Sequence, residues 1–242
     1  MELEVNRNVL TFPATRAARD AVKQGFYEKH NIPGVVGAID CTHVKLKRPR
    51  EHEEQYFCHK FCHCINVQLI CDSDMRILGV NARHGGATHD AFIWRFSTVN
   101  QFLQDLYARG ETNTWLIGDS GYPLSRFLMT PIIGAAPETP EANYTAIHIS
   151  ARNVIERLNG VLKSRWRCLS GERTLHYDPE TVAQMVASCC ALHNIGLHDQ
   201  DYVPQPRRLP AIPRIQFLAN QSELNRGQIV RAHLKQLNEK KL

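Results

Sequence analysis

Gly34-Val35-Val36-Gly37-Ala38-Ile39-Asp40 is the stretch on which the fold turns. Its apolar residues run continuously instead of alternating, the pattern of a strand buried on both faces, and the run closes on an acid. A second run ends the same way, Trp115-Leu116-Ile117-Gly118-Asp119. A carboxylate at the tip of a buried strand is costly unless a cation or a hydrogen-bond donor meets it. Asp40 and Asp119 are therefore expected to face a charged or donating partner. A third acid, Glu156, lies in the helical stretch from Ser150 to Lys163. There Val154, Ile155, Leu158, Val161 and Leu162 form one stripe at about 100° per residue. Arg152, Glu156, Asn159 and Lys163 take the opposite face. Glu156 is thus not core: it is either a solvated glutamate paired with Arg152 four residues back, or a side chain turned toward a polar site. Three acids on rigid elements far apart in sequence have the makings of a divalent-cation site.

The remaining elements follow outward from these runs. Residues 14–29 read as an amphipathic helix ended by Asn31-Ile32-Pro33, and the first strand spans 35–40. Ile65–Cys71 and Arg76–Ala82 flank the turn Asp72-Ser73-Asp74 and predict a hairpin. Gly85 to Asp90 reads as a turn into a helix, with Thr88 or Asp90 as its cap. A helix over 98–109 and a strand over 114–119 come next. The Pro-bearing stretch 131–143 reads as irregular, followed by helices at 150–165 and 179–197. Four prolines between 203 and 213 suggest a linker, and a last helix spans 221–239. The expected organisation is a helical lead-in over 1–33, a catalytic-type domain over 34–200, and a linker with a basic helix over 201–242.

A chain of 242 residues is long enough to bury roughly 70–75% of its unfolded surface in one sizeable core. No apolar run approaches the roughly 20 residues of a membrane span, and the N-terminus carries no secretory h-region, so the sequence reads as intracellular. The net charge of +5 is unevenly placed. Residues 207–242 hold eight Lys/Arg against two Glu, a net of +6, while the rest nets −1. A basic tail suits nucleic-acid contact or a nuclear import signal, and equally a solvated helix. Smaller basic clusters follow Asp40 (Lys45, Lys47, Arg48, Arg50) and Glu156 (Lys163, Arg165, Arg167), where phosphates would need neutralising.

Eight cysteines without a secretory signal do not read as a disulfide framework. The dense patch Cys58-His59-Lys60-Phe61-Cys62-His63-Cys64 invites a zinc reading. Its spacings of four and two, with no second pair at a matching distance, favour reduced cysteines on a partly buried strand. Cys189-Cys190 with His193 falls in an apolar helical run and reads as core.

The order strand, hairpin, helix, strand, helices is that of an α/β, ribonuclease H-like mixed sheet flanked by helices. With that order in hand, the chain resembles the Harbinger group of DDE superfamily transposases and the nucleases derived from them. The resemblance rests on Gly37 to Val44, Ile65-Asn66-Val67-Gln68 with Cys71-Asp72, and Gly85 to Asp90 with Phe92-Ile93-Trp94. It continues in Gly118-Asp119-Ser120-Gly121-Tyr122-Pro123-Leu124, Thr130-Pro131, Arg152 to Arg157, Leu162 to Trp166, and Cys190 to Asn194, covering about residues 10–200. It implies that Asp40, Asp119 and Glu156 are the catalytic, metal-binding triad of a nuclease. Asp90 is implied as a fourth metal ligand, with a plain helix cap as its other reading. Mg²⁺ or Mn²⁺ suits such hard oxygen ligands. Two ions about 3.5–4 Å apart would aim a water at phosphorus and stabilise the leaving 3′-oxygen. Lys163 and Arg165 are candidate phosphate contacts, with a structural role as the other reading of Arg165. The resemblance further implies DNA as the substrate, a Myb/SANT-like DNA-binding partner protein, a homo-oligomer, and a nuclear location extending to the cytoplasm; its alternative is a domesticated, non-catalytic nuclear binding protein. Two departures stand out. Cys58-His59 replaces an expected Asn-Arg before Lys60, and about 33 residues precede the first catalytic strand where the family carries a longer DNA-recognition region.

Overall fold

A computed structural model describes residues 9–197 and 221–239. The chain runs α1 (Arg16–His30), β1 (Val35–Lys45), α2 (Glu53–Tyr56), β2 (Phe57–Cys58), β3 (Cys62–Cys71), β4 (Ile77–Gly85), α3 (Asp90–Arg95), α4 (Thr98–Ala108), β5 (Trp115–Ile117), β6 (Leu128–Met129), α5 (Pro140–Arg165), α6 (Pro179–Ile195) and α7 (Gln221–Glu239). β1 lies at the centre. It pairs antiparallel with β3 on one side and parallel with β5 on the other, and β5 pairs parallel with β6. β4 pairs antiparallel with β3 over Ile65–Cys71, while β2 pairs with the start of β3. Helices cover both faces, and the sheet is the ribonuclease H-like mixed sheet that the element order predicts.

Two cores result, one on each face. Alternation along β1 sends Ala38, Val44 and Leu46 into the larger core with Leu158 and Leu162 of α5 and Val186 of α6. Ile39 and Cys41 go into the smaller core with Ile93 and Trp94 of α3 and Leu103 and Leu106 of α4. A register irregularity between Val35 and Gly37 sets this phase. Gly34 makes the turn into β1 at φ 75°, and a Cβ there would stand 2.3 Å from the Trp115 ring. That close approach accounts for the glycine. Phe26 of α1 and Leu234 of α7 belong to the larger core, so both ends of the described chain pack on the same body.

Helix starts follow side-chain capping. Thr15, Ser97, Thr139 and Asp178 each accept a backbone N–H at the head of α1, α4, α5 and α6. Three sequence expectations need correction. β1 does not stop at Asp40 but continues to Lys45, because Cys41–Lys45 pair residue by residue with Gln68–Cys64 of β3. Asp40 therefore sits mid-strand, not at a tip. α5 begins ten residues earlier than read, at Pro140; proline after a Thr cap occupies N1, where its missing N–H has no helical partner to lose. α3 is capped by neither Thr88 nor Asp90: its N-cap is His89, and Asp90 is its first helical residue. The short strands β2 and β6 carry too few residues for a period to show. The predicted linker over 203–213 lies outside the described residues.

Candidate active site

Asp40 points toward α5. Asn159 Nδ2 donates to Asp40 Oδ2 at 2.9 Å, and Arg152 Nη1 lies 3.9 Å from Oδ1. The carboxylate is nearly sealed, its residue 6% exposed. Its cost is met as expected, by a cation and a donor, but both come from a helix more than 100 residues downstream. Asp119 follows β5. Ala38 is the register partner of Ile117, so Asp40 and Asp119 each lie two residues past a paired position on neighbouring parallel strands. At a strand spacing of about 4.8 Å, that placement brings the two backbone positions near each other. Asp119 Oδ1 accepts the Gly121 N–H at 3.0 Å, which folds the chain into the turn leading to Tyr122.

Glu156 is exposed, with a side chain 51% accessible, and it is bonded to Arg152. The ion pair four residues apart forms, yet it is not a detached surface pair, because the same guanidinium reaches Asp40. Arg152 thus lies between two acids of the implied triad. Arg152, Glu156, Asn159 and Lys163 form one stripe on α5, the polar face legible in the sequence. What the sequence did not tell is that this stripe overlies Asp40. Asn159 and Arg152 are the functional neighbours that reading missed; their spacing from Glu156, three and four residues, was the available signal.

Asp90 is tied to β3: Asn66 Nδ2 donates to its Oδ1 at 2.8 Å and to the Thr88 carbonyl at 2.8 Å. Asp90 and Asp40 both bear on Tyr122, whose hydroxyl lies 3.3 Å from Cys41 Sγ and whose pKa burial pushes well up. Lys163 is largely desolvated, which lowers its pKa to about 8, with Lys60 adding to the drop and Asp40 opposing it. It lines a small cavity with Thr42, Val44, Asn159 and Leu162 beside β1. Arg165 goes elsewhere: its guanidinium lies against Gly196 at the C-terminal end of α6 and bears on His193. In the basic cluster after β1, Arg48 is paired with Glu53 at 2.5 Å.

The donor set around Asp40 is hard: carboxylate oxygens and an amide. Asn159 Oδ1 is buried and has no hydrogen-bond partner, an orphaned acceptor beside the Asp40 carboxylate. Such an oxygen suits Mg²⁺ or Mn²⁺ and not a thiophilic ion.

Residues 39–194 match the family described as DDE superfamily endonuclease. The chain is a Harbinger-derived member of the DDE superfamily nucleases. It is 36% identical over 198 residues to "Putative nuclease HARBI1" of Bos taurus, covering 81% of this chain and 55% of that protein. With the Homo sapiens protein of the same name it shares 35% over 204 residues, 83% of this chain and 57% of the other. With "Protein ALP1-like" of Arabidopsis thaliana it shares 27% over 201 residues, 77% and 49% respectively. The chain spans about half the length of the curated relatives it matches. No solved structure matches. The DDE endonuclease match begins one residue before Asp40 and ends at Asn194, so it contains Asp40, Asp90, Asp119 and Glu156. Among the described residues no helix is long and apolar enough to cross a membrane.

Proposed function

We propose that the chain is a divalent-metal-dependent DNA nuclease in which Asp40, Asp119 and Glu156 hold Mg²⁺ or Mn²⁺, with Asp90 as a further ligand. The observation that supports this reading is the guanidinium of α5 that joins Asp40 to Glu156, next to the parallel strand β5 that Asp119 follows. Bound there, the ions would supply Lewis-acid charge at a scissile phosphate and lower the pKa of an attacking water. The chain's own residues do the rest. Asn159 fixes the Asp40 carboxylate through its amide N–H and offers Oδ1 as one more oxygen. Arg152 gathers Asp40 and Glu156 before metal arrives and must swing away or remain as a phosphate contact when it does. Lys163 places positive charge near Asp40, where a DNA backbone would run. No side-chain nucleophile is required.

DNA is the proposed partner, with a Myb/SANT-like protein supplying sequence recognition, a homo-oligomer as the working state, and the nucleus as the location. A second reading, a non-catalytic nuclear binding protein, draws on one observation: Arg152 pairs with both Asp40 and Glu156 and offsets part of their charge. Incubating the purified chain with supercoiled plasmid in Mn²⁺ separates the two. Nicking that disappears in Asp40→Asn and in Asp119→Asn is expected. A folded wild-type chain that leaves the plasmid intact with Mn²⁺ and Mg²⁺ would instead favour the binding protein.

A further inference from the structure

The face of the β2–β3–β1 ribbon opposite Asp40 gathers soft ligands that the nuclease reading does not use. Cross-strand pairing determines which side chains share that face. Cys58 is the register partner of Cys62, and Cys64 is the partner of Lys45, two residues from His43 on β1. Partners and their second neighbours lie on one side of a sheet. His43, Cys58 and Cys64 therefore converge, and Cys62 adjoins them beside Cys58. The Cys58 and Cys62 sulfurs are 3.6 Å apart. The ligand atoms of His43, Cys58 and Cys64 all lie within 4.8 Å of one another. Tetrahedral zinc with Zn–S of about 2.3 Å requires sulfur–sulfur edges of roughly 3.8 Å, close to the separation observed. A disulfide would need about 2.05 Å.

We propose that Cys58, Cys62, Cys64 and His43 form a Cys₃His site for a structural zinc ion that clamps the β2–β3 hairpin onto β1. The linear sequence argued against this because the patch holds no second ligand pair. Three residues separate Cys58 from Cys62, within the usual Cys-x₂₋₄-Cys range, and the missing donor comes from β1, fifteen positions before Cys58 in the chain. The surroundings are built for close approach. Gly86 lies over the cluster, its N–H on the Cys64 carbonyl at 2.7 Å, and a Cβ there would stand 2.2 Å from Cys64 Sγ. The hairpin turn is tight, with Phe61 at φ 56° and its N–H on the Cys58 carbonyl.

The charge balance suits a metal: Lys60 and Lys163 both bear on His43, and Lys163 bears on Cys64 as well. Binding releases the three thiol protons and leaves the Cys₃His–Zn²⁺ unit at a net −1, which Lys60 and Lys163 would offset.

The test uses the full chain. Zinc is measured by mass spectrometry after purification without chelator, then replaced by Co²⁺ and followed by absorption. Expected are about one zinc per chain and a thiolate-to-cobalt charge-transfer band with tetrahedral visible bands. Cys58→Ser/Cys64→Ser should abolish both, and His43→Ala should shift the visible bands. Asp40→Asn should leave them unchanged, which separates this site from the acidic one. Should the serine variant fail to fold, the wild-type cobalt spectrum decides alone. A wild-type spectrum without the charge-transfer band, zinc retained in the double variant, or a Cys58–Cys62 disulfide in peptide maps would each overturn the site.

Discussion

At the scale of single residues, Arg152 sets the state of the acidic site. Its guanidinium stands between Asp40, a 9% exposed side chain, and Glu156, while its own side chain is only 16% exposed. Buried carboxylates that lose a cationic neighbour are costly, so Arg152→Gln should destabilise the metal-free chain by about 1–2 kcal/mol. A divalent ion held by the same acids would replace the lost charge. The rise in melting temperature on adding Mn²⁺ should therefore be larger in Arg152→Gln than in wild type. Equal or smaller shifts would show that the ion does not meet these acids. Asp40 and Asp119 stood out in the sequence because each closes an apolar run, and Glu156 because the family resemblance singles it out on its polar helix face. Asn159 and Arg152 did not, because a polar residue on a polar helix face has no anomaly to betray it until the helix is placed.

At the scale of elements, α5 is the part that joins site to core. Its polar stripe meets Asp40, while Val154, Ile155, Leu158 and Leu162 fill the larger core. His148 lies earlier on the same helix, fully buried, with Nε2 donating to the Met129 carbonyl of β6 at 3.1 Å. Burial lowers its pKa from 6.5 to about 4. Between those values the unfolded chain binds a proton that the folded chain refuses. Stability is complete above about pH 6.5 and falls as pH drops toward 4, by about 2 kcal/mol at pH 5. Urea titrations of wild type and His148→Gln near pH 7.5 and pH 5 check this. The variant should lose stability at neutral pH but show a shallower pH dependence, and parallel profiles would exclude His148 as the source. The sequence placed α5's last four turns correctly and missed its first ten residues, because Pro131 and Pro140 look alike on paper and only Pro140 follows a cap.

For the molecule as a whole, α7 is not a loose basic arm. Leu234 is fully buried, Gly227 abuts Leu124 and Ser125, and Lys235 is bonded to Glu141 of α5. Arg231 Nη1 donates to the Thr130 carbonyl at 3.4 Å. Two bases that the composition offered to DNA are engaged within the protein. Leu234→Ala should cost about 2–5 kcal/mol in denaturant unfolding; a change under about 0.5 kcal/mol would mean that α7 is not docked. For the same reason, deleting the tail confounds DNA binding with core loss. Lys240→Gln/Lys241→Gln is the cleaner variant. If those lysines contact phosphate, the salt dependence of DNA affinity should become shallower by up to about two in log–log slope, and an unchanged slope would assign the tail a structural part alone.

Strand and helix identity, the α/β class and the family came from the sequence by itself, because continuous apolar runs, a 3.6-residue stripe and ordered motifs are local properties that survive in one dimension. The tertiary structure alone decided what meets what: that Asp40 lies mid-strand, that one arginine spans two acids, and that His43 closes on Cys58 and Cys64. Those are facts of register between strands and of helix placement. They arise from packing between segments far apart in the chain, which no local pattern encodes.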